Sequence, residues 1–157
     1  MPRLAHALLS LAMASADWLE RALPALLAVD VRATIEGDTL VHRDVRSDNL
    51  CFVGDQVKLI DWNIACLGSR TLDLAFWLPS LEMEGGPAPD AILPNAGAWA
   101  SVVSGFFAAR AGLPVIPEAP YVRDIQLRQL RFALPWAVRA LDLPPLIAPP
   151  LTALPDR

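Results

Sequence analysis

The chain has 157 residues, 54% of them hydrophobic, with 13 Lys plus Arg against 17 Asp plus Glu for a formal net charge of −4. That length suggests one domain with a core of its own, and the apolar share excludes disorder throughout. The acidic balance lacks the basic footprint that nucleic-acid binding needs.

The chain opens with features of a short signal peptide: Arg3, the apolar run Leu8 to Met13, and Ala14-Ser15-Ala16. Leu4, Leu8, Leu11, Trp18, Leu19, Ala22 and Leu26 recur at helical spacing through and beyond that cleavage site, so the spacing predicts a helix over residues 4–28, bent or ended near Pro24. Thr39-Leu40-Val41 is a short extended entry into the next segment. Leu50 to Val53 and Val57 to Ile60 read as a β-hairpin with a three-residue loop, Gly54-Asp55-Gln56. Residues 63–70 read as a loop. Thr71 to Met83 returns to helical spacing, with Leu74, Leu78 and Leu81 on one stripe. Glu84 to Pro94, rich in Gly and Pro, reads as a loop. Two further helices are expected over residues 96–111, stopped by Gly112 and Pro114, and over residues 121–141, with Pro135 a kink or break. The organisation is thus one folded unit over residues 1–143 and a proline-rich tail over residues 144–157. No stretch is long and uninterrupted enough to span a membrane. Cys51 and Cys66 are too few for a disulfide framework and form no CxxC pair, which suits a reducing, cytoplasmic setting.

The chemistry concentrates in His42-Arg43-Asp44-Val45-Arg46-Ser47-Asp48-Asn49, followed by Leu59-Ile60-Asp61-Trp62. With the hairpin loop centred on Asp55, Val53 faces Val57, Cys51 faces Leu59, and Asn49 faces Asp61 at its open end. Facing side chains sit roughly 5 Å apart at Cβ. Two hard oxygen donors at the mouth of an apolar surface suit Mg²⁺, which keeps water and substrate phosphates in its shell. Asp44, on the loop entering the first strand, stands beside that pair as a carboxylate free to take a proton from an attacking hydroxyl.

The pattern His-x-Asp-x-x-x-x-Asn followed by Ile-Asp-Trp resembles the signature of the aminoglycoside phosphotransferase and choline kinase-like family, which shares the protein-kinase fold. Gly68-Ser69-Arg70-Thr71-Leu72-Asp73-Leu74-Ala75 resembles the family's Gly-Asp-Pro-x-x-Asp-Leu-Ala segment, and the joint likeness runs from Leu40 to about Leu78. The resemblance implies a mainly α fold with a small β-hairpin, the C-terminal lobe of a protein-kinase-like domain. It implies Asp44 as catalytic base, Asn49 and Asp61 as ligands of Mg²⁺ and hence of ATP, His42 as a buttress of the catalytic loop, and Asp73 as a hydrogen-bond partner of that loop.

The departures from the pattern matter. Family members often carry Gly where Arg43 stands; Arg43 is read as structural or solvent-facing. Arg46, two past the base, is placed either to stabilise the transferring phosphoryl group or simply on the surface. No Gly-rich loop or strand lysine precedes His42, and Lys58, the single lysine, lies inside the hairpin. The expectation is therefore a lobe without its nucleotide-gripping N-lobe, inactive or weak alone.

Asp48 is either a further cation contact or a solvated side chain. Trp62, Trp77, Trp99 and Trp136 line a pocket for a cation or belong to the core. Glu82, Glu84 and Asp90 form an acidic wall for a cationic substrate or a solvated loop. The function expected is ATP- and Mg²⁺-dependent transfer of a phosphoryl group to the hydroxyl of a small, conceivably cationic molecule, with neither nucleic acid nor membrane as partner. The alternatives are a truncated or pseudokinase-like binding module and one subunit of a split kinase, completed by a separately encoded N-lobe or a second copy.

Overall fold

The segment expected as one helix over residues 4–28 forms two, α1 (Pro2–Ser10) and α2 (Ala16–Leu27), in the computed structural model, which describes residues 2–29 and 34–146. Ala12 causes the break by taking a φ of 52°. The Ala12 and Met13 N–H groups turn back to the Leu9 and Leu8 carbonyls at 3.0 and 2.9 Å, the bond pair of a Schellman cap. Ser15 then starts α2, its side chain accepting the Trp18 N–H at 3.1 Å. Pro24 does not end α2, which runs three residues beyond it.

Strands β1 (Thr39–Val41), β2 (Leu50–Val53), β3 (Gln56–Leu59) and β4 (Cys66–Gly68) make two antiparallel pairs, β1 with β4 and β2 with β3. β4 lies in the segment expected to be only a loop; three residues are too few to show alternation. Helix α3 (Leu72–Met83) follows, then α4 (Pro89–Ile92), a single turn inside the stretch expected as loop, with Pro at its start where the missing N–H costs nothing. Helices α5 (Gly97–Ala111) and α6 (Val122–Ala140) complete the described body. Of the expected tail, residues 147–157 lie outside the described residues.

Helix α6 passes through Pro135 without ending. A helix-interior proline costs about 3 kcal/mol. Its neighbours Leu134 and Trp136 are fully buried, and burying each side chain contributes roughly 2–3 kcal/mol, which offsets that cost. Pro79 inside α3 is likewise flanked by the fully buried Leu78. The core gathers Leu8, Trp18 and Leu26 from the first two helices, Leu78 from α3, Val103 and Phe107 from α5, and Leu130, Leu134 and Trp136 from α6. Gln129 donates to Ser80 Oγ at 2.8 Å in the buried seam between α6 and α3. The mainly helical body with small antiparallel sheets agrees with the expected class.

The hairpin register departs from expectation by one residue. Leu50 pairs with Leu59, Cys51 with Lys58, Phe52 with Val57 and Val53 with Gln56. The loop holds two residues rather than three, because Gly54 takes a φ of 58° and closes a tight turn at Asp55. Asn49 consequently lies opposite Ile60, not Asp61, and its carbonyl accepts the Ile60 N–H at 2.9 Å. Much of this β surface is apolar and open, with Phe52 74%, Leu67 67% and Leu40 61% exposed. No helix among the described residues is long and apolar enough to cross a membrane.

Candidate active site

The segment between β1 and β2 is held from beneath by α3. Asp73, in the first turn of that helix, accepts the His42 N–H on Oδ2 and the Arg43 N–H on Oδ1, each at 2.7 Å. A carboxylate that takes two backbone N–H groups uses its charge to fix the loop's start. His42 is fully buried and is gripped on both ring nitrogens. The Asp44 N–H points to Nδ1 at 3.2 Å, so Nδ1 is the acceptor, and Nε2 donates to the Ile60 carbonyl at 2.7 Å. The Trp62 indole packs edge-on against the His42 ring at 4.8 Å, and its Nε1 donates to the Leu59 carbonyl at 2.9 Å. These contacts join the loop to the exit of the hairpin.

Asp44 and Asn49 are brought together. The Asn49 amide nitrogen donates to the Asp44 carbonyl at 2.8 Å and to Asp44 Oδ2 at 3.2 Å. Asn49 is buried, at the end of a short 3₁₀ turn over Ser47–Asn49. Both bonds come from its nitrogen, so its oxygen is the atom a cation would use. Asp61 lies one residue beyond Ile60, the residue that bonds Asn49, and has a φ of 63°. The one-residue shift takes Asp61 out of the position expected for it opposite Asn49, and its side chain is exposed. Asn63 Nδ2 donates to Asp61 Oδ1. The available donors are hard oxygens, the chemistry Mg²⁺ prefers, and that ion commonly takes one or two protein ligands and fills its shell with water and phosphate. Among the described residues no group of three His, Cys, Asp or Glu is placed to hold a metal.

Arg46 lies beside this pair. Its Nε and Nη2 fork onto Asp48 at 3.1 and 2.8 Å, and its Nε stands 3.6 Å from Asp44 Oδ1. Asp48 is thus an internal partner of Arg46. The positive φ of Arg43, 72°, explains why glycine suits that position.

The acidic trio splits in two, with Glu82 and Asp90 near Arg139 and Glu84 turned to Ser47. Asp90 pairs with Arg139 at 2.6 Å, and Glu84 accepts the Ser47 hydroxyl at 2.8 Å. Glu82 keeps a buried Oε2 without a partner, and burial pushes its carboxyl above the ordinary glutamate range, Arg139 pulling against the shift and Asp90 adding to it. Of the tryptophans, Trp136 is fully buried in the core, Trp99 packs against it, and Trp62 is half-exposed against His42. A cavity of about 910 Å³ is lined by Arg43, Leu67, Phe76, Phe106 and Arg110 among others, but not by Asp44, Asn49 or Asp61.

Sequence spacing did not reveal Asn63 or the Ser47–Glu84 bond. Asn63 had a signal, a short amide two residues past a candidate ligand. Glu84 had none, being 37 residues from its partner.

A buried histidine, a carboxylate and an asparagine share one loop, carried on an acidic helix start. Residues 2–111 match the model of the phosphotransferase enzyme family, and the chain belongs to that family. No curated protein and no solved structure gives a match.

Proposed function

We propose that the chain is the catalytic lobe of an ATP- and Mg²⁺-dependent small-molecule kinase of protein-kinase-like fold. Asp44 accepts the proton of a substrate hydroxyl, and Asn49 and Asp61 hold the metal. Mg²⁺ held by Asn49 and Asp61 would supply positive charge to offset that of the nucleotide phosphates. Arg46, kept beside Asp44 by its fork on Asp48, offers positive charge to the group in transfer. His42 and Asp73 keep the loop in place and touch no substrate. The observation that carries this reading is the pair of hydrogen bonds from the Asn49 amide to Asp44, which brings that amide and that carboxylate together on one loop.

The open apolar β surface supports a further element of the reading. Exposed Phe52, Leu40 and Leu67 suit a nucleotide-gripping lobe packed over both sheets. Positioning supplies most of the catalysis in phosphoryl transfer, so strong turnover depends on that lobe.

The test is thermal stability with and without Mg²⁺–ATP. A ligand that binds only the folded state raises the melting temperature. The reading expects a rise in the wild-type chain and none in Asp61→Ala. No shift at millimolar nucleotide would favour a non-catalytic module.

A further inference from the structure

We propose that Glu84 is a positioning residue for the catalytic loop, and that α3 thereby holds this loop at both ends. This rests on the phosphotransferase reading. At the start of α3, Asp73 takes the backbone of His42 and Arg43; at its end, Glu84 accepts the Ser47 hydroxyl at 2.8 Å. From Asp73 to Glu84 the helix rises about 16 Å. Five residue steps from His42 to Ser47 can reach about as far at most, and Arg46 is extended, with φ −151° and ψ 164°. The loop is therefore tied to the helix at two points, with Asp44 between them.

The second anchor is itself rigid. Glu84 is the C-cap of α3, and Gly85 follows with a φ of 91°. The Gly85 and Gly86 N–H groups return to the Glu82 and Leu81 carbonyls at 3.0 and 2.8 Å, closing a Schellman cap. A Cβ on Gly86 would lie 2.7 Å from Leu81 Cγ, so glycine is needed there too. Ser47 opens the 3₁₀ turn that ends at Asn49, and its carbonyl accepts the Leu50 N–H. Fixing Ser47 fixes the turn that presents Asn49 to Asp44 and to the metal.

The experiment measures Mn²⁺–ADP affinity, from the electron paramagnetic resonance signal of free Mn²⁺, together with hydrogen exchange at the Asn49 and Leu50 amides. Glu84→Ala and Ser47→Ala should each weaken binding roughly fivefold, the scale of one hydrogen bond to a charged group near solvent. The double variant should be no weaker than either single one. Glu84→Gln, whose amide oxygen still accepts from Ser47, should bind like the wild type. Exchange at the two amides should quicken in the alanine variants and not in Glu84→Gln. Should Glu84→Ala fail to fold, Ser47→Ala carries the test alone. Alanine variants with wild-type affinity and wild-type exchange would overturn the proposal. A wild-type chain that binds no Mn²⁺–ADP would instead sink the phosphotransferase reading, and the exchange rates would then decide the role of Glu84 by themselves.

Discussion

Asp73 Oδ1 accepts the N–H of Arg43 at 2.7 Å, and Arg43 is held there with a φ of 72°. A carboxylate at a helix start, favoured by the helix dipole, thus stabilises a loop residue in a backbone region that most side chains avoid. Removing the carboxylate leaves two loop N–H groups without their charged partner. Asp73→Ala should lower folding stability by about 3 kcal/mol, measured by urea denaturation. A loss below ~1 kcal/mol would mean that the loop keeps its shape without Asp73.

Arg43 offers the opposite experiment. A non-glycine residue in the left-handed region carries a steric cost that glycine does not. Arg43→Gly should raise stability by roughly 0.5–1 kcal/mol while leaving the Asp73 bonds in place. A lower denaturation midpoint would show that the arginine side chain, against the large cavity, contributes more than the strain removes.

The hydrogen bonds of His42 require the proton on Nε2, since Nδ1 faces the Asp44 N–H. Long-range ¹H–¹⁵N correlation spectra should therefore show the Nε2–H tautomer. His42→Phe preserves the ring but leaves the Ile60 carbonyl and the Asp44 N–H unpartnered, and should cost about 2 kcal/mol. A spectrum of the other tautomer would contradict the arrangement of the loop after β1.

Glu82 gives the pH dependence its sign. Its folded-state value is raised, by burial first and by Asp90 second, against the pull of Arg139. The unfolded state therefore releases this proton first as pH rises, and stability falls between the ordinary glutamate value and the raised one. The contribution is fully present below the ordinary value. Compared with Glu82→Gln, the wild type should lose stability across that window and run parallel above it. Parallel curves throughout would show that Glu82 titrates alike in both states.

Much of the site was legible because its chemistry is local in sequence. His42, Asp44 and Asn49 share one loop, and Asp61 follows one hairpin later. Asp73 was legible from the likeness of Gly68–Ala75 to the family's segment and from its place in the first turn of a helix. What was not legible depended on single backbone angles. Gly54 at φ 58° shortened the hairpin loop by one residue and moved Asn49 opposite Ile60, while Val-Gly-Asp-Gln reads equally well as a longer turn. Ala12 at φ 52° split the first helix where no glycine or proline marked a stop, although Ser15 was a visible cap. Pro135 suggested a kink or break that its buried neighbours overrode, and α2 runs on past Pro24, where a bend or end was expected. The Ser47–Glu84 bond depends on α3 lying along the loop, a tertiary fact that no local pattern carries.

The most direct test asks where a metal–nucleotide complex sits. Mn²⁺–ADP broadens nuclear resonances close to the ion. In an isotopically labelled chain, the side-chain amide of Asn49 and the backbone signals of Asp44 and Asp61 should broaden first, and Asn49→Ala should abolish the effect. Broadening centred instead on Phe106 and Arg110, beside the large cavity, or none anywhere in the chain, would contradict the assignment of this loop as a phosphoryl-transfer site.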